Sequence, residues 1–145
     1  MYKRQLRARY LGRLSGPLRD RIDIEVHLER VTQAELRLAR ELPRTTTAAA
    51  RERVLEARER ARRRLAGTPW SINAEVPGTW LRSREHEPAE NARAPLEAAL
   101  ERRILTLRGH DRVLRLAWTL ADLAGLDRPG RHEIGTALVL RVPDA

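Results

Sequence analysis

The sequence predicts a mainly α-helical protein: a helical bundle preceded by one helix and one β-strand that belong to a sheet the chain does not contain. Three observations carry this prediction. Apolar residues recur at helical spacing through most of residues 48–142. The period switches to two only once, where Ile22, Ile24, Val26 and Leu28 alternate with Asp23, Glu25, His27 and Glu29. No second convincing strand follows to satisfy that strand's backbone donors and acceptors.

The elements follow in order. Met1 to Gln5 stand apart, because the single lysine of the chain, Lys3, lies among them while every other basic residue is arginine. This pentapeptide reads as the translation of a transposon end used in sequencing libraries, and is set aside from fold reasoning as a scar. A genuine basic N-terminus is the alternative. Leu6, Tyr10 and Leu14 then mark one face of a helix, which Gly16-Pro17 ends. The lone strand runs from Ile22 to Arg30, so residues 6–31 read as the tail of a larger domain.

Residues 32–47 form a connector with a short helical piece, Gln33 to Leu42, closed by Pro43 and a threonine cluster whose last member can cap the next helix. Ala48 to Leu65 is a helix with Ala50, Val54, Ala57, Ala61 and Leu65 on one stripe. A connection with two tryptophans, Trp70 and Trp80, follows; they read as core plugs under a loop rather than platforms for bases. Pro88 to Leu105 is a helix restarted at Pro95, with Leu96, Leu100 and Ile104 buried. Thr106 caps the central helix and Gly125 ends it, and Val113, Leu116, Ala117, Leu120, Leu123 and Ala124 form its apolar face. The last helix, Arg131 to Val142, turns Ile134, Ala137, Leu138 and Arg141 to one side before Pro143 stops it. Residues 48–142 thus make one helical domain.

Composition narrows the chemistry. With no cysteine, disulfides, thiolate catalysis and cysteine zinc sites are excluded together. His27, His86, His110 and His132 are scattered, and His132-Glu-Ile-Gly-Thr lacks the second histidine of a zincin helix, so no metal site is expected. No lysine follows a glycine, which rules out a Walker A loop and ATP hydrolysis by this chain alone. No apolar run is long enough for a membrane span and no signal-peptide core is present, so a cytoplasmic location without membrane contact is expected. The net charge of +9 suits nucleic acid, but acidic residues are interleaved through most arginine runs, as on solvated helix faces.

Two arginines stand out by position. Arg21 sits where a turn hands over to the strand. Arg108 lies in the first turn of the central helix, where the positive end of the dipole opposes a cation by a few tenths of a kcal/mol unless an anion compensates. The segment Ser15-Gly-Pro-Leu-Arg-Asp-Arg-Ile-Asp23 resembles the SGPLLDRID box of the magnesium-chelatase-like AAA+ ATPases, the group that includes the ComM/YifB proteins. Thr106-Leu-Arg-Gly-His-Asp-Arg-Val-Leu-Arg-Leu-Ala-Trp-Thr-Leu-Ala-Asp-Leu-Ala-Gly125 is similar to the LSxRxxxRxLRVARTIADLAG stretch of the same family's C-terminal lid, and Asn73-Ala74 matches a family position between the lid halves.

The resemblance implies an AAA+ lid behind the end of an α/β core. By it, Arg21 is the arginine finger acting in trans on a neighbouring subunit's nucleotide, and Arg108 is sensor 2, contacting the γ-phosphate from its own lid. It further implies ATP and Mg2+ as cofactors of the complete protein and none bound by this chain alone, an upstream ATPase core carrying the Walker motifs and first sensor, and a homo-oligomeric ring, a hexamer. Relatives of the ComM type handle branched DNA, whereas chelatase subunits drive metal insertion into porphyrins; the resemblance leans to the former. One departure is Arg19, where the family has an apolar residue, which puts a second cation two positions from the finger. Two readings of other classes stand beside this one: a stand-alone basic helical module that binds nucleic acid, and a remnant whose unpaired strand aggregates.

Overall fold

The computed structural model describes Gly12, Leu18, residues 21–26 and residues 28–141. The expected helix at Leu6 to Leu14, the Gly16-Pro17 turn, Arg19, His27 and Pro143 lie outside the described residues. Among those described, six α-helices and one 3-10 turn form, and no strand.

Helix α1, Gln33–Glu41, begins at a capping box: Thr32 Oγ1 accepts from Glu35 N at 3.3 Å, and Thr32 N donates to Glu35 Oε2 at 2.7 Å. No residue of α1 is buried. Helix α2, Thr47–Arg64, is capped by Thr46, whose hydroxyl accepts from Ala49 N at 3.1 Å. Of its expected stripe only the C-terminal half, Ala57, Ala61 and the following Leu65, is buried, because only that half reaches the bundle. The connection carries the 3-10 turn Asn73–Glu75 and the short helix α3, Gly78–Leu81. Trp70 and Trp80 meet edge to face, centroids 5.9 Å apart, and pack on the core. They serve as plugs under the loop.

Helix α4, Glu90–Glu101, differs from expectation at both ends. It passes through Pro95 without restarting there. It stops at Glu101 because Arg103 adopts the left-handed conformation, φ 57°. Arg103 N then donates to Leu100 O at 2.9 Å and Ile104 N to Ala99 O at 3.0 Å, the paired bonds of a Schellman turn. The stripe is therefore Ala92, Leu96 and Ala99, and Ile104, beyond the helix, is exposed.

Helix α5, Leu107–Ala124, is central: it packs against α2, the 3-10 turn, α3, α4 and α6. Thr106 Oγ1 accepts from Gly109 N at 3.1 Å, and Gly125 closes the helix at φ 75°. Its buried face is Val113, Leu114, Ala117, Trp118 and Ala121; Leu123 and Ala124, expected inside, are exposed. Helix α6, Arg131–Arg141, buries Ile134 and Ala137 against α4 and α5.

The strand expected at Ile22 to Arg30 does not form over residues 22–26 and 28–30. Its alternation is real, but a strand exists only by pairing with another, and Ile22, Ile24, Val26 and Leu28 all stand exposed. The helical bundle takes up part of this backbone instead. Glu25 N donates to Leu140 O at 2.7 Å, and Arg141 Nη1 to Ile22 O at 2.8 Å. The first of these satisfies one of the carbonyls that every helix leaves open at its C-terminus.

Candidate functional site

The N-terminal end of α5 borders an open cleft of about 620 Å3, lined by Arg21, Leu107, Arg108, Asp111, Arg112 and Arg115. Both arginines singled out in the sequence line it. The resemblance assigned them to two different nucleotide sites; within this chain they share one cleft. Neither guanidinium takes part in a hydrogen bond or ion pair with another described residue, and both residues are exposed.

Two further arginines of the cleft were missed as site residues. Arg112 and Arg115 stand four and seven positions beyond Arg108, a spacing that puts all three on one helix face. That spacing was the signal available in the sequence. Arg115 is held by a bond from its Nε to Val76 O at 2.9 Å. Arg112 Nη1 donates to Arg21 O at 3.0 Å and forms an ion pair with Asp23.

Among the described residues, the one carboxylate lining the cleft, Asp111, pairs with Arg82 and so does not neutralise Arg108. Gly78 makes room for this pair, since a Cβ there would collide with the Asp111 carboxylate. His110 lies behind Asp111, with Nδ1 3.6 Å from its carboxylate. Burial holds the His110 pKa below its ordinary value of 6.5, an effect the neighbouring Asp111 only partly opposes. His110 therefore brings no reliable positive charge to the cleft, and among the described lining residues the cations are arginines. Arginine is always charged, and its planar fork matches phosphate oxygens bidentately. The arrangement can bind a phosphate, and a phosphate there would also offset the unfavourable placement of Arg108 at the helix N-terminus. Among the described residues no three histidine, aspartate or glutamate side chains gather as a metal site.

At the other end of α5 a buried knot forms. Arg64 clasps Asp122 with both terminal nitrogens, its Nη2 2.8 Å from Oδ2, and also donates to Asn73 Oδ1 at 2.7 Å. Asn73 Nδ2 donates to Asp122 Oδ2 at 2.9 Å and to Thr119 Oγ1 at 3.1 Å. The Arg64 guanidinium also lies over the Trp118 ring, 4.1 Å from its centroid. Asn73 is thus a tie between the connection and α5. A hollow of about 610 Å3 beside the knot is walled by Val54, Ala57, Ile72, Ala74 and Leu123, and its mainly apolar surface suits phosphate far less than the arginine cleft does.

No helix among the described residues is long and apolar enough to cross a membrane. Comparison with known proteins adds family context. Residues 44–141 match the family described as magnesium chelatase, subunit ChlI C-terminal, and residues 1–36 match that described as magnesium chelatase, subunit ChlI. An uncharacterized protein of Mycobacterium tuberculosis strain H37Rv is 45% identical over 133 residues, covering 92% of this chain and 26% of the relative. An uncharacterized protein of Mycobacterium bovis is similar to the same extent, 45% over 133 residues with the same coverage of 92% and 26%. The competence protein ComM of Haemophilus influenzae is 34% identical over 137 residues, covering 92% of this chain and 25% of the relative. The chain therefore spans about a quarter of the length of these relatives, at 25–26%. No solved structure matches it.

Proposed function

The chain belongs to the magnesium-chelatase-like family, and from that premise we propose that it is the C-terminal piece of an AAA+ ATPase, the helical lid with the end of the core. Its part in ATP hydrolysis is to supply Arg21 as arginine finger and Arg108 as sensor 2, within a hexameric ring of identical subunits. The work of the ring is DNA handling of the ComM kind. One observation carries the reading: Arg21 and Arg108 face a common cleft with their guanidinium groups unengaged by other described residues.

The residues fit the nucleotide only in part. The arginines suit its phosphates, while Mg2+ finds no ligand set among the described residues and falls to the upstream core. When bound, ATP supplies the phosphoryl group to be transferred. The work of this chain is electrostatic, since positive forks placed where negative charge develops accelerate phosphoryl transfer. A finger arginine contributes about 10³–10⁵ in rate.

In a protein with the upstream core restored, Arg21→Ala and Arg108→Ala each abolish ATPase activity and leave nucleotide binding largely intact. Parent-level turnover in both variants sinks the assignment. The shared cleft favours a second reading of Arg21, as a residue acting on its own subunit's nucleotide. Mixed rings separate the two. If Arg21 acts in trans, subunits carrying Arg21→Ala regain activity when mixed with subunits whose phosphate-binding loop is disabled; if it acts in cis, they do not.

The stand-alone nucleic-acid module has less support. Several arginines of α2 are engaged within their own helix, Arg62 and Arg63 with Glu59 at 2.9 and 3.0 Å and Arg60 with Glu56 at 3.5 Å. Titrating the chain with DNA across salt tests it: micromolar or tighter affinity with a steep salt slope supports the module.

A further inference from the structure

Residues 21–25 lie outside every helix of the bundle, yet four contacts tie them to it. Arg112 of α5 reaches Arg21 O at 3.0 Å and pairs with Asp23. Arg141 of α6 reaches Ile22 O at 2.8 Å. Glu25 N meets Leu140 O, also of α6, at 2.7 Å. The contacts alternate between two helices that pack on each other, so the segment is pinned at successive residues rather than at one point.

We propose that Arg112 is a positioning residue that straps the Arg21 turn to the helix bearing Arg108, so that the two cleft arginines move as one body. Arg112 is well placed for this. Its side chain is 18% exposed, whereas that of its partner Asp23 is 65% exposed, so the anchored end is in the bundle and the held end is outside. Its Nε is buried without a partner, and among the described residues its guanidinium bonds run from Nη1 to residues 21–23. Arg112 stands one helical turn beyond Arg108, so a tilt of α5 that moves Arg108 carries Arg112, and with it Arg21. The strap does not require the ATPase reading, but its consequence for catalysis rests on it.

The absence of cysteine makes the test direct. Spin labels on Val26→Cys and Leu55→Cys, both at exposed positions, report the distance between the strapped segment and α2 by pulsed EPR. The parent chain gives one narrow distance. Asp23→Ala and Arg112→Ala each broaden the distribution by about two-fold or more, and the double variant is no broader than Arg112→Ala alone. Arg115→Ala, which bonds Val76 and makes no hydrogen bond or ion pair with a described residue of the segment, leaves the width unchanged. An unchanged width in Asp23→Ala overturns the proposal. That variant decides the matter even if Arg112→Ala loses its helical circular dichroism, because Asp23 stands outside the bundle.

The catalytic consequence is read in the protein with its core restored. There Arg112→Ala lowers kcat about 10–100-fold with KM for ATP little changed, the signature of misplacement rather than lost binding. If broadening occurs in the isolated chain while Arg21→Ala and Arg108→Ala turn over like the parent, the strap stands and the ATPase reading falls.

Discussion

The two ends of α5 hold arginines in opposite conditions. At the C-terminal end Arg64 is bound to Asp122 and Asn73, its side chain 15% exposed and that of Asp122 2%. At the N-terminal end the guanidinium groups of Arg108 and Arg21 face solvent without a partner among the described residues. The residue type is the same and the consequence is reversed. A largely buried arginine whose two terminal nitrogens are both answered is part of the architecture, while an exposed, unanswered one in a concave, positively charged cleft is available to a ligand. The contrast separates two roles that the arginine-rich composition alone leaves mixed.

The largest way to break the contrast is at the knot. Asp122→Ala takes from the Arg64 guanidinium its charged partner, leaving it Asn73 Oδ1 alone among the described acceptors, and removes an acceptor from Asn73, so a loss of about 3–5 kcal/mol is expected in denaturant unfolding. A loss below about 1 kcal/mol means that the knot is solvated and that the two ends differ less than described. Next comes Thr106→Ala, which removes the cap of α5 beside the cleft and should cost about 1 kcal/mol by the same measurement. Smallest is Arg108→Ala. Because Arg108 opposes the helix dipole and pairs with nothing described, its removal leaves stability unchanged or raises it by a few tenths of a kcal/mol. A clear destabilisation would instead make Arg108 structural and erase the contrast.

These regions were unequally legible in the sequence. Helix α5 was readable because its period, its threonine cap and its terminating glycine agree with one another. The end of α4 was not, since Arg103 takes the left-handed position usually marked by glycine. Pro95 misled for a related reason: it commonly opens a helix, and here the helix simply continues past it. Asp122 was hidden because a charged residue beside an apolar stripe reads as solvated, and its partner lies 58 residues away in the chain. The alternation at residues 22–30 was read correctly as a pattern, but pattern fixes a strand only when a neighbour completes it. As for the cleft, Arg108 and Arg21 were found by position and resemblance. Arg112 and Arg115, on the same face as Arg108, were left among the solvated arginines.

Helix α1 has a kinetic consequence. It is nine residues long, closed by its capping box, and buries nothing. A helix of that length that buries no residue is marginal in water, so its opening is uncoupled from that of the bundle. In hydrogen exchange its amides should trade with solvent far faster than those of α5. A protease supplied in trace amounts should cut there before it cuts α5, severing the covalent link between the bundle and the segment strapped to it.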